Sequence, residues 1–275
     1  MIIGWAFPKL EKLAPGLAKR WFVRIFFTPI RYRPPVPEVE IAQQAKRYQI
    51  DFMGKRIQVY EWGEGRPVLM VHGWMGRGTQ FRKFIPVFNA AGYKVVSFDA
   101  VGHGRSQGKR TSLISFIELI GKIQNNYRQF EMIVGHSLGG VAALHATLAG
   151  ITDKLVMISS PTEAQELLKE YRKRIGASEE LLPFFNEKVE VLFKRKFEDL
   201  AVEKNIGKLK NADLLFIHDE DDREVPFSSI EVVKREFPAA QIMVTKGNGH
   251  TRILKDQSVI TKVLEFLRMS RLAIV

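Results

Sequence analysis

The stretch EMIVGHSLGGVAAL, from Glu131 to Leu144, breaks an apolar run with one serine, Ser137, flanked by Gly135, Gly139 and Gly140. G-x-S-x-G between a strand and a helix forms a sharp turn that pushes a hydroxyl out of the sheet, and the glycines leave room for its strained backbone. A serine hydroxyl is a weak nucleophile at neutral pH, so it needs a general base within reach and a third group that orients the base. The chain has six histidines. His72 and His103 lie in glycine-rich turns, His136 is beside the serine but points away from it, His145 is inside a helix, and His218 ends a strand. His250, in KGNGHTRIL between the last strand and the last helix, is the candidate base. Asp219, Glu220, Asp221 and Asp222 all follow the strand DLLFIH, and only one can be its partner. Asp222 is the first choice, because DREVP resumes regular structure just after it; Asp219 is the second.

Acyl chemistry at Ser137 also needs donors for a developing oxyanion. In this kind of turn one donor is the amide after the nucleophile, here Leu138. The other comes from the loop after the first parallel strand, VHGWMGRG, where glycines let the Trp74 amide turn inward. Losing one such donor raises the barrier by about 3 kcal/mol. Trp74 and Met75 are expected to wall a substrate pocket, together with Leu182, Phe184, Phe185 and Phe193 from further along the chain.

These groups need a scaffold. YQIDFMGKRIQVYEWGEG reads as an antiparallel hairpin, followed by the apolar strands PVLMVHG, KVVSFDA, EMIVGHS, KLVMISSP, ADLLFIHDE and AQIMVTK. Helical stretches near 79–91, 112–128, 138–149 and 258–269 separate most of them. Continuous apolar strands alternating with helices predict an α/β fold, a mostly parallel eight-stranded sheet covered by helices on both faces. In such sheets the site forms beyond the carboxyl ends of the strands. The alternation fails over residues 162–211, charged and helical with no strand, which predicts a small helical cap inserted after the sixth strand. The core is then 48–161 and 212–275. Residues 1–47 form an arm, in which PGLAKRWFVRIFFTP predicts one amphipathic helix with Leu17, Ala18, Trp21, Phe22, Ile25 and Phe26 on one face, and RYRPPVPEVE reads as a stiff extended connector.

A net charge of +12 accompanies this layout, and residues 1–33 hold seven Lys or Arg against one Glu. No nucleic-acid motif goes with the basic charge, so no nucleic-acid partner is expected. The amphipathic arm fits packing on the body, a dimer interface, or peripheral membrane contact through residues 15–27. The absence of cysteine excludes disulfides and thiolate chemistry. No apolar run approaches the length of a membrane span, and the opening residues lack a basic leader with a small-residue cleavage site, so the expected location is cytoplasmic, with membrane-surface association open. No cofactor and no metal is expected.

HGWMG, FDAVGHGRS, GHSLGG, HDEDDREVP and GNGH occur in the order and spacing of the α/β-hydrolase superfamily, and the chain resembles it over about residues 48–270. The resemblance implies a Ser-Asp-His order, here Ser137, Asp222 and His250, with oxyanion amides at Trp74 and Leu138. Serine rather than aspartate at the nucleophile separates the chain from the dehalogenase and epoxide-hydrolase branches. The expectation is a carboxylesterase-like serine hydrolase acting on a small-molecule acyl ester or thioester. An acyltransferase, or a ligand receptor with little turnover, is the alternative.

Overall fold

Side chains along a strand alternate between faces, so each inner strand supplies two cores at once. Leu69, Val71, Ile133, Leu214 and Phe216 pack into one apolar cluster, while Val68, Met70, Val134, Leu215 and Ile217 pack into another across the sheet. Burial on both faces explains why these strands read as continuous apolar runs.

The structure, a computed structural model, describes residues 2–269. Helices α1 (Ile2–Leu13), α2 (Pro15–Phe26) and α3 (Val36–Gln44) precede the hairpin β1 (Lys46–Phe52) and β2 (Lys55–Trp62). Then follow β3 (Arg66–Val71), α4 (Phe84–Ala90), β4 (Tyr93–Phe98), α5 (Leu113–Gln124), β5 (Met132–His136), α6 (Leu138–Leu148) and β6 (Lys154–Ile158). Between β6 and β7 (Asp213–Asp219) lie α7 (Ala164–Ile175), α8 (Leu181–Phe193) and the single turn α9 (Val202–Asn205). The chain continues through α10 (Ser229–Glu236), β8 (Gln241–Thr245), α11 (Gly249–Arg252) and α12 (Gln257–Arg268).

The eight strands form one sheet in the order β1-β2-β4-β3-β5-β6-β7-β8. The pairs β1–β2 and β2–β4 are antiparallel and every other pair is parallel, as the strand pattern predicts. The carboxyl ends of β3, β5, β6, β7 and β8 therefore share one edge. The hairpin turns at Met53–Gly54, both with positive φ (52° and 68°), one residue earlier than the sequence suggests.

Before the sheet, the structure differs from the expected single helix and extended connector. Residues 2–13 form a further helix despite Pro8, and Val36–Gln44 is helical because its prolines fall at the N-cap and in the first turn, where no intrahelical donor is lost. Glu38 of α3 is buried, accepting from Thr79 Oγ1 (2.8 Å) and Arg77 Nη1 (3.3 Å).

The expected apolar face of α2 also divides. Ala18 and Phe22 are fully buried in a cluster with Phe7, Leu168, Phe185 and Val189, whereas Leu17 and Trp21 are 46% and 44% exposed. The inward stripe runs through the buried Ala18 and Phe22 and the partly buried Phe26, so Leu17 and Trp21, one position back, fall outside it. Among the described residues, no helix is long and apolar enough to cross a membrane.

Candidate active site

Ser137 follows β5 directly and precedes α6, with φ 53° and ψ −124°. This is left-handed backbone that a non-glycine residue adopts only when its surroundings enforce it. Here they do. A Cβ on Gly135 would strike the backbone of Gly139 and Gly140, and one on Gly139 would strike the Val71 carbonyl, so neighbouring strands and α6 close tightly around the turn. The Ser137 amide donates to Ile158 O at 2.9 Å. His136 and Gly139 are buried on either side, while Ser137 itself remains partly exposed.

His250 lies in α11, the short turn after β8, and its side chain is 9% exposed. Its Nδ1 is 2.8 Å from Asp222 Oδ2. Burial pushes the Asp222 carboxyl up, but the His250 contact and the Val225 and Glu224 amides outweigh it and hold the group at about 2. Asp222 is therefore an acceptor only, and His250 Nδ1 carries the proton in that bond. His250 Nε2 makes no hydrogen bond among the described residues and has Glu224 Oε2 at 4.0 Å. Asp219, the second candidate acid, does different work. Its carboxylate accepts from Thr245 Oγ1 (2.7 Å) and from the amides of Asn248 (3.0 Å), Gly249 (2.9 Å) and Asp221 (3.0 Å), so it shapes the loop that carries His250.

His136 joins the serine turn to the histidine loop. Burial and the neighbouring His250 lower its pKa to about 3, so the ring is neutral, and its Nε2–H donates to His250 O at 2.8 Å. The two rings are 4.8 Å apart. The third wall is the loop after β3: a Cβ on Gly73 would lie 2.8 Å from Ser137 Cβ.

That loop is fixed by two histidines whose roles sequence reasoning missed. Burial lowers His72 to about 4 and His103 to about 3. As neutral rings they accept from amides: Ala100 N–H to His72 Nε2 and Met75 N–H to His103 Nε2, each at 3.0 Å. Their Nδ1–H groups donate to Gly73 O (2.7 Å) and Val101 O (3.1 Å). Asp99 completes the frame by accepting from Gly78 N (2.9 Å) and Arg105 N (2.8 Å). The signal was present in FDAVGHGRS, whose conformational meaning shows only against the facing loop.

Met75, with φ 58°, thus has its amide occupied, while no protein acceptor among the described residues takes the Trp74 N–H. Leu138 is the first residue of α6, so its N–H lacks an intrahelical partner. Neither candidate oxyanion amide, Trp74 or Leu138, has a protein acceptor among the described residues.

The candidate pocket residues of α8 are placed elsewhere. Phe185 is fully buried, edge-on to Phe22, Phe26 and Phe197 at 5.9, 4.7 and 5.3 Å, so its ring packs the joint between α2 and α8. The ammonium groups of Lys19 and Lys188 lie over the Phe184 ring, at 5.6 and 5.4 Å. A groove between α7 and the loop before α10 is instead lined by Thr162, Glu163, Glu166, Glu170, Glu224 and Val225.

Residues 65–241 match the family described as "Serine aminopeptidase, S33", which covers well over half of the chain. A human serine hydrolase-like protein is 31% identical over 128 residues, 41% of this chain and 62% of its own length. A monoacylglycerol lipase of Mycolicibacterium smegmatis is 33% identical over 109 residues, 36% of this chain and 39% of its own. The chain therefore spans less than two-thirds of both. The crystal structure of a predicted CIB-like hydrolase from Thermoplasma acidophilum superposes with a TM-score of 0.60 at 19% identity, covering 82% of this chain and 98% of that one. With the family match, the eight-stranded sheet and the strained serine turn in agreement, the chain belongs to the S33 serine aminopeptidase family of α/β hydrolases.

Proposed function

We propose that the chain is a serine hydrolase that cleaves a carboxylic ester or thioester through an acyl-enzyme. The observation that carries this reading is the 2.8 Å pairing of His250 Nδ1 with an ionised Asp222, on the loops after β7 and β8 and joined through His136 to the Ser137 turn. In this reading Ser137 Oγ attacks the acyl carbon while its proton passes to His250 Nε2. The carbonyl oxygen becomes an oxyanion that accepts from the Trp74 and Leu138 amides. The intermediate collapses, and the leaving alcohol or thiol departs with the proton from His250. Water, deprotonated by the same imidazole, then attacks the acyl-serine and releases the acid. Asp222 keeps the proton on Nδ1 and stabilises the imidazolium. The helices between β6 and β7 serve as the cap over this edge, and the likeness to a monoacylglycerol lipase fits an acyl ester.

Turnover on p-nitrophenyl esters of increasing acyl length tests the reading. Release of p-nitrophenolate is expected from the wild-type protein, with a loss of about ten-thousandfold or more in Ser137→Ala. Unchanged turnover in Ser137→Ala overturns it, and a folded wild type silent across the panel favours a ligand receptor.

A further inference from the structure

The first two helices repeat one surface pattern. On α1, Trp5, Lys9, Lys12 and Leu13 fall at spacings of 4, 7 and 8 residues, all exposed, with Trp5 at 69% and Leu13 at 86%. On α2, Leu17, Arg20, Trp21 and Arg24 fall at spacings of 3, 4 and 7, again all exposed. Residues at these spacings share a helix face. The faces that carry Phe7, Ala18 and Phe22 are sunk into the α7–α8 cluster, so both stripes lie on the outer side of the hairpin.

The stripes combine apolar and cationic groups and have lost their acid. Lys9 Nζ sits 3.5 Å over the Trp5 ring and Arg24 lies 5.6 Å from Trp21. Among the described residues, Lys9, Lys12, Lys19, Arg20 and Arg24 make no ion pair with a carboxylate. Glu11, the one acid in residues 1–33, is taken up by the Ser178 amide (3.0 Å) and hydroxyl on the insertion. Exposed tryptophan and leucine beside unneutralised Lys and Arg match the headgroup region of a bilayer, where indole rings settle and basic groups meet lipid phosphates.

We propose that the α1–α2 hairpin is a docking surface for an anionic phospholipid membrane. Charge selects this occupant over a second copy of the chain. A two-fold interface would set the basic stripe of one copy against that of the other, since the same patch faces itself. The hairpin is already folded and clamped: Tyr171 Oη donates to Phe22 O at 2.6 Å, and Arg31 donates to Gly102 O and Gly108 O at 2.8 and 2.9 Å. Docking therefore needs no helix formation, which removes the ordering cost that a free amphipathic peptide bears. Because its inner face is packed on α7 and α8, the hairpin brings the insertion to the lipid surface with it.

Flotation with vesicles tests this, using phosphatidylcholine alone against equimolar phosphatidylcholine and phosphatidylglycerol. The full chain is expected to bind the anionic vesicles and to release with added salt. Each basic residue at such a surface contributes roughly fivefold, so Lys9→Glu/Arg20→Glu/Arg24→Glu is expected to weaken binding more than about a hundredfold. Trp5→Ala/Trp21→Ala is expected to weaken it by at least about tenfold. Both variants change exposed side chains and are expected to keep the wild-type melting temperature and soluble-ester turnover. Ser137→Ala is expected to bind vesicles as the wild type does, so failure of the hydrolase reading and failure of this one are distinguishable. No binding to anionic vesicles, or binding unchanged in both variants, overturns the proposal. So does a wild-type dimer that the Trp variant converts to monomer, or binding to duplex DNA without binding to vesicles.

Discussion

The loops beyond β5, β7 and β8, which bury Asp219 and Asp222, and the joint between α2 and α8, which buries Phe22 and Phe185, are held in opposite ways. At the loops, polar groups are held by directional bonds: Asp219 accepts four hydrogen bonds, Asp222 accepts from Glu224 N and Val225 N besides meeting His250, and Ser137 is locked by glycines that admit no Cβ. At the joint, Phe22, Phe26, Phe27, Phe185 and Phe197 meet through ring contacts of 4.7–6.1 Å. Directional bonds fix atoms to within a fraction of an ångström, as acyl chemistry requires. Ring packing supplies cohesion and tolerates substitution provided volume is kept. Catalysis and cohesion are thus expected to fail independently.

The largest expected effect is at the loops. Asp222→Asn exchanges an ionised acceptor for an amide that no longer selects the Nδ1–H tautomer, and ester turnover is expected to fall about ten-thousandfold while the lost carboxylate lowers the melting temperature by only a few degrees. Asp219→Asn acts on the loop backbone and is expected to cost far less activity, so equal losses in the two variants would break the distinction drawn between them. Phe185→Ala is next: deleting a fully buried ring is expected to cost about 3–5 kcal/mol. That lowers the melting temperature on the order of 10 °C, with active-site labelling preserved in the protein that remains folded. A Phe185 variant that loses turnover at full stability would return that ring to the substrate pocket.

The smallest expected effect concerns acid. Asp222 is held at about 2 in the fold, below the value near ~3.9 of an unperturbed aspartate. A depressed folded pKa stabilises through the ionised form. The contribution, on the order of 2 kcal/mol, is complete above about pH 5 and is lost as the pH falls through 4 toward 2. Denaturant melts between pH 5 and pH 3 are expected to show a shallower loss of stability for Asp222→Asn than for wild type. Parallel curves would remove Asp222 from the acid response.

The same contrast explains what the sequence made legible. Chemistry restricts residue types, so Ser137, His250 and Asp222 stood out by type and loop position, and buried parallel strands stood out because both of their faces are apolar. The two histidines that pin the loop after β3 did not, since the facing loop alone shows which backbone amides their rings accept from. Packing is more degenerate still. Phe184 and Phe185 are equally apolar in sequence, and only the placement of α2 decides that one ring is buried at the joint and the other meets Lys19 and Lys188. The helix α3 was hidden by its prolines, which argue against a helix by composition but are tolerated at the N-cap and in the first turn, as at Pro35 and Pro37, whereas α1 carries Pro8 in its interior.

Reaction with a fluorophosphonate, followed by intact-mass and peptide analysis, tests the central claim most directly. Wild-type protein is expected to gain one phosphonyl group, located on Ser137, and folded Ser137→Ala is expected to gain none. A folded wild type that does not label, or a label carried by another residue, would contradict the assignment of Ser137 as the nucleophile.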